Sequence, residues 1–191
     1  MAKSDPEKRL TDAALKLLAK TPWADLSLTA MAKAARVPMK EMFTLAPSRE
    51  AVVGLLLKRF GAAVAESHTP EASEDLRSRM FDVAMAWFDV LAPHRKAIRS
   101  LSDGLKRDPF ALIALRSDAV AASQWLLALA DADKGPLSAA KSIGFAIILA
   151  RAVPVWVEDG EDLSKTMAQI DRDLSRAEGW LSPRQSGSQE A

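Results

Sequence analysis

Several residue types on which common protein chemistries depend are absent or scarce in this sequence of 191 residues. It contains no cysteine, which excludes disulfide bonds and metal sites built from thiolates. Its eight glycines are scattered and form no phosphate-binding loop, and no serine stands in the context of a nucleophile elbow. The two histidines, His68 and His94, are far apart and have no second ligand at metal-binding spacing. We therefore expect no catalytic residue, no metal and no cofactor.

Targeting and membrane-spanning segments are also missing from the pattern. The N-terminal sequence MAKSDPEKRL does not resemble a signal peptide. The longest apolar candidate, IGFAIILARAVPVWV, is interrupted by Arg151 and Pro154. We expect a soluble, cytoplasmic protein.

Charge is distributed unevenly along the chain. Residues 1–60 carry 11 basic and 6 acidic side chains, whereas residues 61–191 carry 15 basic and 19 acidic ones. A basic small module joined to an acidic larger one suits a nucleic-acid reader attached to a sensor. The alternative is a solvated basic surface without a partner.

Residues 28–48 have the pattern of two short helices joined by a tight turn near Arg36. The first helix places apolar residues three and four positions apart, and Pro38 suits the first position of the second helix. We expect the inward side of this pair to contain Leu28, Met31, Ala32, Ala35, Val37, Met42 and Leu45. The outward side of the second helix would then present Met39, Lys40, Glu41 and Thr44. This pattern predicts a helix-turn-helix whose second helix meets a major groove.

Helical periodicity continues through most of the remaining chain. A first helix ends before Thr21, and Ser48 begins a longer helix that reaches about residue 67. Further helices are expected from about residue 74 to Pro93, at about 94–105, 108–130 and 137–157, and at about 162–181. We expect Pro154 to kink or end the fourth of these. The prediction is an all-α fold with a helix-turn-helix module at 1–47, a larger module at 48–181 and a flexible tail at 182–191.

The last predicted helix carries apolar residues in alternating steps of four and three. This seam, which includes Leu163, is typical of a coiled coil and favours a homodimer, with packing inside one chain as the alternative. The residues we expect at the dimer interface are Ile143, Ile147, Met167, Ile170 and Leu174. The acidic run at 158–162 is interpreted as a polar loop that caps this helix, and a cation site is the less favoured alternative.

Six aromatic residues fall on different helices of the larger module. They would suit the lining of an apolar pocket for a small molecule or lipid, and a filled core is an equal alternative. The six are Trp87, Phe88, Phe110, Trp125, Phe145 and Trp156.

The first 60 residues resemble the N-terminal domain of the tetracycline-repressor (TetR) family of regulators. The resemblance lies in LTDAALKLLAKTPWADLSLTAMAKAARVPMKEMFTLAPSREAVVGLL, with Trp23, Val37 at the turn and the sequence from Pro47 to Ala51 opening the fourth helix. Arg36 stands where the family usually has glycine, and Pro38 stands where it usually has a hydroxyl residue. The resemblance implies a TetR-like fold that binds double-stranded operator DNA. We expect DNA contacts from Thr29, Arg36, Pro38, Met39, Lys40, Glu41, Phe43, Thr44 and Arg49.

The larger module resembles a second family, the bacterial relatives of the coenzyme Q biosynthesis lipid-binding proteins. The similarity lies in RMFDVAMAWFDVLAPHRKAI and PVWVEDGEDLSKTMAQIDRDLSRAEGW, above all in Trp156, Asp159, Asp162, Leu163 and Thr166. It implies a TetR-like fold that has lost DNA binding, holds a lipid and assists a hydroxylase of the quinone pathway. The sequence therefore favours a ligand-responsive transcriptional regulator, with a lipid-binding accessory protein of ubiquinone biosynthesis as the alternative.

Overall fold

The computed structural model describes residues 5–68, 75–135 and 137–181. These residues form nine α-helices and two short 3₁₀ turns, at Trp23–Asp25 and Ala92–His94, and they contain no β-strand. The all-α prediction is confirmed, and the predicted tail at 182–191 lies outside the described residues. In chain order, α1 to α9 span Pro6–Leu18, Leu28–Ala35, Met39–Leu45, Arg49–Ser67, Leu76–Leu91, Arg95–Leu105, Pro109–Leu129, Ser138–Glu158 and Ser164–Leu181.

Side-chain caps fix the beginnings of several helices. Ser27 and Ser48 each accept a hydrogen bond from the N–H three residues further on, at 3.1 Å. Asp108 does the same at 3.0 Å, and Pro109 takes the first position of α7. Each cap satisfies an N–H group that has no partner inside the helix, which is why these helices begin where local sequence predicts.

A small apolar core holds α1, α2 and α3 together. Leu10 and Leu18 of α1, Met31 of α2 and Met42 of α3 are at most 1% exposed. Fully burying each such side chain stabilises the fold by about 1.5–3 kcal/mol. This core therefore fixes the orientation of α3 relative to the other two helices.

Trp23 joins these three helices to the larger module. It is 1% exposed and packs so closely on α6 that a Cβ atom built on Gly104 would lie 2.3 Å from the Trp23 Cβ. The guanidinium of Arg49 lies over the Trp23 ring, 4.6 Å from its centroid. The two modules consequently share one continuous apolar core, and their division at residue 47 stays a prediction.

In the larger module, α4 lies along α7, and α8 contacts α6, α7 and α9. We expected Pro154 to kink or end the helix predicted at about 137–157. Helix α8 does not end there and continues to Glu158. A proline inside a helix removes one hydrogen bond and crowds the carbonyl four residues earlier. Burial of Trp156 and Val157 beyond it anchors the last turn in the core and offsets that cost.

The apolar seam of α9 faces its own chain. Ile170 and Leu174 are both 0% exposed, and α9 packs on α5 and α8. The prediction that these two residues contact a second subunit is therefore wrong. Alternating steps of four and three serve equally well for any helix that buries one side, so the spacing does not identify what covers it.

Two helices are long and apolar enough to cross a bilayer by length and composition alone. They are α7 and α8, whose mean hydropathies are 1.3 and 1.5. This differs from the sequence-based expectation for α8. Arg151 and Pro154 interrupt its apolar run, but the mean hydropathy of the helix remains high enough for a membrane span. Core helices of soluble proteins have the same property, so these two are weak signs of a membrane segment.

Candidate nucleic-acid interface

The orientation of α3 is set by the residues it buries. Met42 is 0% exposed and Val37, just before the helix, is 4% exposed, while Leu45 is partly buried against the same core. All three were predicted to face inward, and they do. Pro38 is the N-cap residue of α3 and not its first helical residue, and its side chain makes no capping hydrogen bond.

The turn between α2 and α3 contains a left-handed residue. Arg36 has φ 54° and ψ 42°, the conformation that glycine usually supplies. The N–H of Val37 donates to the carbonyl oxygen of Ala32 at 3.0 Å, which satisfies an acceptor at the end of α2. A residue other than glycine adopts this conformation at a cost of about 1 kcal/mol. The helix-turn-helix geometry is thus kept without the glycine.

The solvent-facing surface of α3 has an apolar row and a polar row. Met39 and Phe43 are 49% and 75% exposed and lie four residues apart. Lys40 and Thr44, also four apart, are exposed beside them, whereas Glu41 is half-buried. Residues four apart on a helix are neighbours on its surface. This surface can place apolar groups on thymine methyls and an ammonium group on guanine or phosphate.

Three exposed cations lie on α2, on the turn and on α3. They are Lys33, Arg36 and Lys40, and none forms an ion pair with another residue of the described ranges. Lys33 was not among the predicted contacts, although its position three residues before Arg36 could have suggested it. Thr29 is exposed in the first turn of α2, where free N–H groups suit a phosphate.

Arg49, in contrast, is a structural residue. Its Nη1 donates to the carbonyl oxygens of Trp23 and Leu26, at 3.1 and 3.2 Å. Its Nη2 lies 3.7 Å from the Glu50 carboxylate and 3.9 Å from the Asp108 carboxylate. These contacts place its donors and charge between the two modules. They give Arg49 a structural role, and its contact with DNA stays a prediction.

Four of the six aromatic residues predicted to line a pocket lie in the core. Trp87, Phe88, Phe145 and Trp156 are at most 5% exposed. The ring centroids of Phe88 and Trp156 are 5.5 Å apart. Trp87 and Phe60 pack edge to face, with their ring centroids 6.0 Å apart. These are the contacts of packed aromatic side chains.

The other two aromatic residues lie on the outside of α7. Phe110 is 81% exposed, and Trp125 is 52% exposed with its Nε1 donating to the carbonyl oxygen of Gly61 at 3.2 Å. The structure does not bring them to the other four, so the predicted lining is wrong at these two positions. A helix that is apolar around most of its circumference does not indicate by composition which side faces inward.

The remaining predicted dimer residues are exposed. Ile143 and Ile147 of α8 are 41% and 54% exposed, and Met167 of α9 is 41% exposed. One turn after Ile147, the Nε of Arg151 lies 3.2 Å from the Asp173 carboxylate of α9. Large apolar side chains therefore remain uncovered on both of the last two helices of the single chain.

This arrangement of helices matches a solved structure. The chain aligns with the crystal structure of a TetR transcriptional regulator from Rhodococcus sp. RHA1 at a TM-score of 0.57, covering 95% of this chain and 97% of that one. The fold is TetR-like. The two sequences are 16% identical, so the comparison concerns the fold alone. Searches of family models and of curated proteins found no match.

In this TetR-like fold, hydrogen bonds to the Asp159 side chain fix the conformation of the acidic run between α8 and α9. One oxygen of its buried carboxylate accepts from Thr166 N and Oγ1, at 2.7 and 2.8 Å, and the other accepts from Gly160 N at 3.0 Å. Burial acts to raise the pKa of Asp159, but these hydrogen bonds outweigh it and hold the pKa below 3.8. Arg95 donates to the Asp159 carbonyl oxygen at 2.7 Å and stacks on Trp156. The run is thus built as a cap for α9.

Residues 5–68, 75–135 and 137–181 contain no group of three His, Asp or Glu side chains able to hold a metal ion. A cleft of about 550 Å³ lies between α1 and the turn at Ala92–His94. Sequence reasoning missed this cleft because its two walls are distant in the chain and neither has a recognisable motif.

Proposed function

We propose that this chain is a TetR-type transcriptional regulator that binds operator DNA as a homodimer. The observation that carries the proposal is the presentation of α3, whose Met42 is fully buried while Met39, Lys40 and Phe43 are exposed on another side. A helix held in this way by a three-helix core can lie in a major groove. Lys33 of α2 adds positive charge for the phosphate backbone.

In this proposal, α8 and α9 supply the dimer interface. Ile143, Ile147 and Met167 are uncovered on these helices, and pairing with the same helices of a second copy would bury them in a four-helix arrangement. A two-fold dimer of this kind offers two α3 helices to successive major grooves, about 34 Å apart. We therefore expect a palindromic operator.

Selection from a random duplex pool at roughly physiological salt tests the DNA-binding proposal. We expect the full chain to enrich a palindromic site. If Lys40 contacts a phosphate, Lys40→Ala should weaken binding to it and reduce the salt slope by about one unit, because one phosphate contact is lost. Lys165→Ala, which removes an exposed lysine of α9, is the matched control and should bind as the wild type does. An unenriched pool from intact protein would contradict the proposal.

The structure offers less support for the predicted apolar effector than for DNA binding. Trp87, Phe88, Phe145 and Trp156 lie inside the larger module, but they pack on neighbouring rings, so an effector site there requires side chains to move. Extraction of the purified protein with organic solvent, followed by mass spectrometry, tests this part. Recovery of no apolar compound would count against it.

A second candidate function is a lipid-binding accessory protein of ubiquinone biosynthesis with a vestigial helix-turn-helix. The apolar row of Met39 and Phe43 favours it, because this surface suits contact with another protein as well as with thymine methyls. The expected partner is a hydroxylase of the pathway. An unenriched DNA pool together with a co-purified lipid would support this function over the first.

A further inference from the structure

The cleft between the two modules has the dimensions of a ligand site. Its volume is about 550 Å³, and its walls include Leu15 of α1, Ala19 directly after this helix, and Pro93 and Ala97 on the opposite side. Leu15 and Ala97 are 4% and 2% exposed, so the floor of the cleft is the outer edge of the apolar core. Sites for small molecules are commonly about 300–1,000 Å³ and often lie between domains.

The uncompensated charge in this cleft is positive. Lys16 of α1 and Lys96 of α6 both line it and are exposed, and neither has a hydrogen bond or ion pair with the rest of the described chain. The one acidic side chain that lines it, Asp12, is paired with Arg59 at 2.6 Å. Arg95, a third cation of the lining, is held by its hydrogen bond to the Asp159 carbonyl oxygen.

His94 adds a polar group to the same wall. Its ring centroid lies 5.8 Å from that of Phe60, so the imidazole is tied to the core. Burial and the charge of Arg59 lower the pKa of His94 below 6.5, against an opposing effect of Asp12. A neutral imidazole donates one hydrogen bond and accepts another, which adds directional contacts to the apolar and charged groups of this wall.

We propose that this cleft binds an organic carboxylate with an apolar body. Lys16 and Lys96 hold the acid group, because their ammonium groups have no partner within the described residues and form strong hydrogen bonds with a carboxylate. The apolar body lies on Leu15 and Ala97, where it displaces water from a hydrophobic floor. The lining contains no residue of α3, and occupation of the site requires no DNA.

A matched pair of fluorescent probes tests the proposal. Dansylglycine carries a carboxylate on an apolar fluorophore, and dansylamide is its neutral counterpart. In titrations of the full chain followed by fluorescence, we expect one dansylglycine per chain, bound about tenfold more tightly than dansylamide. The Lys16→Gln/Lys96→Gln variant should lose this preference. The Lys8→Gln/Lys165→Gln variant, which changes the net charge equally outside the cleft, should keep it.

Equal affinity for the two probes, or an equal loss in both double variants, would overturn the proposal. A third variant tests the location, because Ala19 is exposed at the end of α1 and a larger side chain there would fill the cleft without entering the core. Ala19→Phe should reduce dansylglycine affinity by about tenfold or more, with no change in the unfolding temperature. Undiminished binding by the folded Ala19→Phe variant would mean that the probe binds elsewhere, which also overturns the proposal.

Discussion

Arg36 adopts a left-handed backbone conformation because the residues on either side of it are buried. Ala35 and Val37 are each 4% exposed, and both would have to leave the core if the turn took another path. Their burial offsets a conformational cost of about 1 kcal/mol. A residue other than glycine can therefore occupy this backbone conformation, and the exposed side chain of Arg36 is available to solvent or phosphate.

In the proposed DNA complex, Phe43 is the residue of α3 best placed to contact the methyl group of thymine. It is 75% exposed, and apolar contact with this methyl is a common way of reading a T·A pair in the major groove. Replacing a thymine of the selected site by uracil removes the methyl and nothing else. We expect one such replacement to weaken wild-type binding by about fivefold and to have no effect on Phe43→Ala, as measured by fluorescence anisotropy.

Thr44→Ala is the control for this prediction, because it shortens an exposed side chain of the polar row and leaves the apolar row intact. It should retain the uracil penalty. A penalty that persists in Phe43→Ala would show that another residue reads the methyl, while the selected operator itself would still stand.

Helix α6 contacts the helix-turn-helix module closely at Gly104. Gly104 approaches the Trp23 Cβ, which is a fixed part of that side chain, so an added methyl cannot be accommodated by a rotamer change. Gly104→Ala should lower the free energy of unfolding by about 1–3 kcal/mol. Gly144→Ala, in a part of α8 where a Cβ would meet nothing within 4 Å, should raise it by about 0.5–1 kcal/mol. Urea unfolding monitored by circular dichroism measures both.

The free energy of unfolding should depend on pH through Asp159, which lies between α8 and α9. Since its folded pKa lies below 3.8, the folded chain favours the ionised carboxylate more than the unfolded chain does. The resulting stabilisation is present above the ordinary pKa of an aspartate and is lost as the pH falls through the lowered folded pKa. Asp159→Asn, which cannot ionise, should therefore be less stable than the wild type near pH 7.

The difference in unfolding free energy between Asp159→Asn and the wild type should shrink as the pH falls below about 3.8. Urea titrations at several pH values measure it. Glu161→Gln removes an exposed carboxylate of the same run and should behave as the wild type throughout. If the difference in unfolding free energy stays constant down to the lowest pH at which the protein folds, the ionised form of Asp159 does not stabilise the fold, and the prediction is wrong.

At the scale of the whole molecule, the sequence predicted where helices begin better than it predicted which side of each helix faces the core. Ser27, Ser48 and Asp108 mark helix starts because a cap depends on residues within one turn. The side of a helix that faces inward depends on distant segments. Periodicity consequently placed Met42 correctly on the short α3 but could not place Phe110 on α7, where apolar residues occur nearly all round.

The same limit explains the missed cleft and the misassigned seam. Lys16 and Lys96 become neighbours of one cavity only when α1 packs beside α6. Ile170 is buried by α5 and α8, and the spacing along α9 is the same whether its cover comes from its own chain or from another. The sequence of one helix therefore does not show whether its apolar side is covered by its own chain or by a second copy. This has to be tested on the protein in solution.

The structure divides the predicted interface residues into two groups with opposite expected behaviour. Ile143 and Ile147 are exposed in the single chain, so glutamate at both positions would remain in water in a monomer. In a dimer through α8, the same charges would be buried against the partner. Ile143→Glu/Ile147→Glu should therefore give a folded monomer. Ile170→Glu should unfold the chain, because position 170 is 0% exposed.

Light scattering after size exclusion, with circular dichroism for helix content, measures both outcomes at micromolar concentration. Ile113→Glu is the matched control, since Ile113 is an apolar residue of α7 that is 71% exposed and lies outside the proposed interface. It should remain dimeric. A wild-type chain that is monomeric at this concentration would contradict the dimer. A dimer that survives Ile143→Glu/Ile147→Glu and is lost in Ile113→Glu would move the interface to α7, where Phe110 and Trp125 are also exposed.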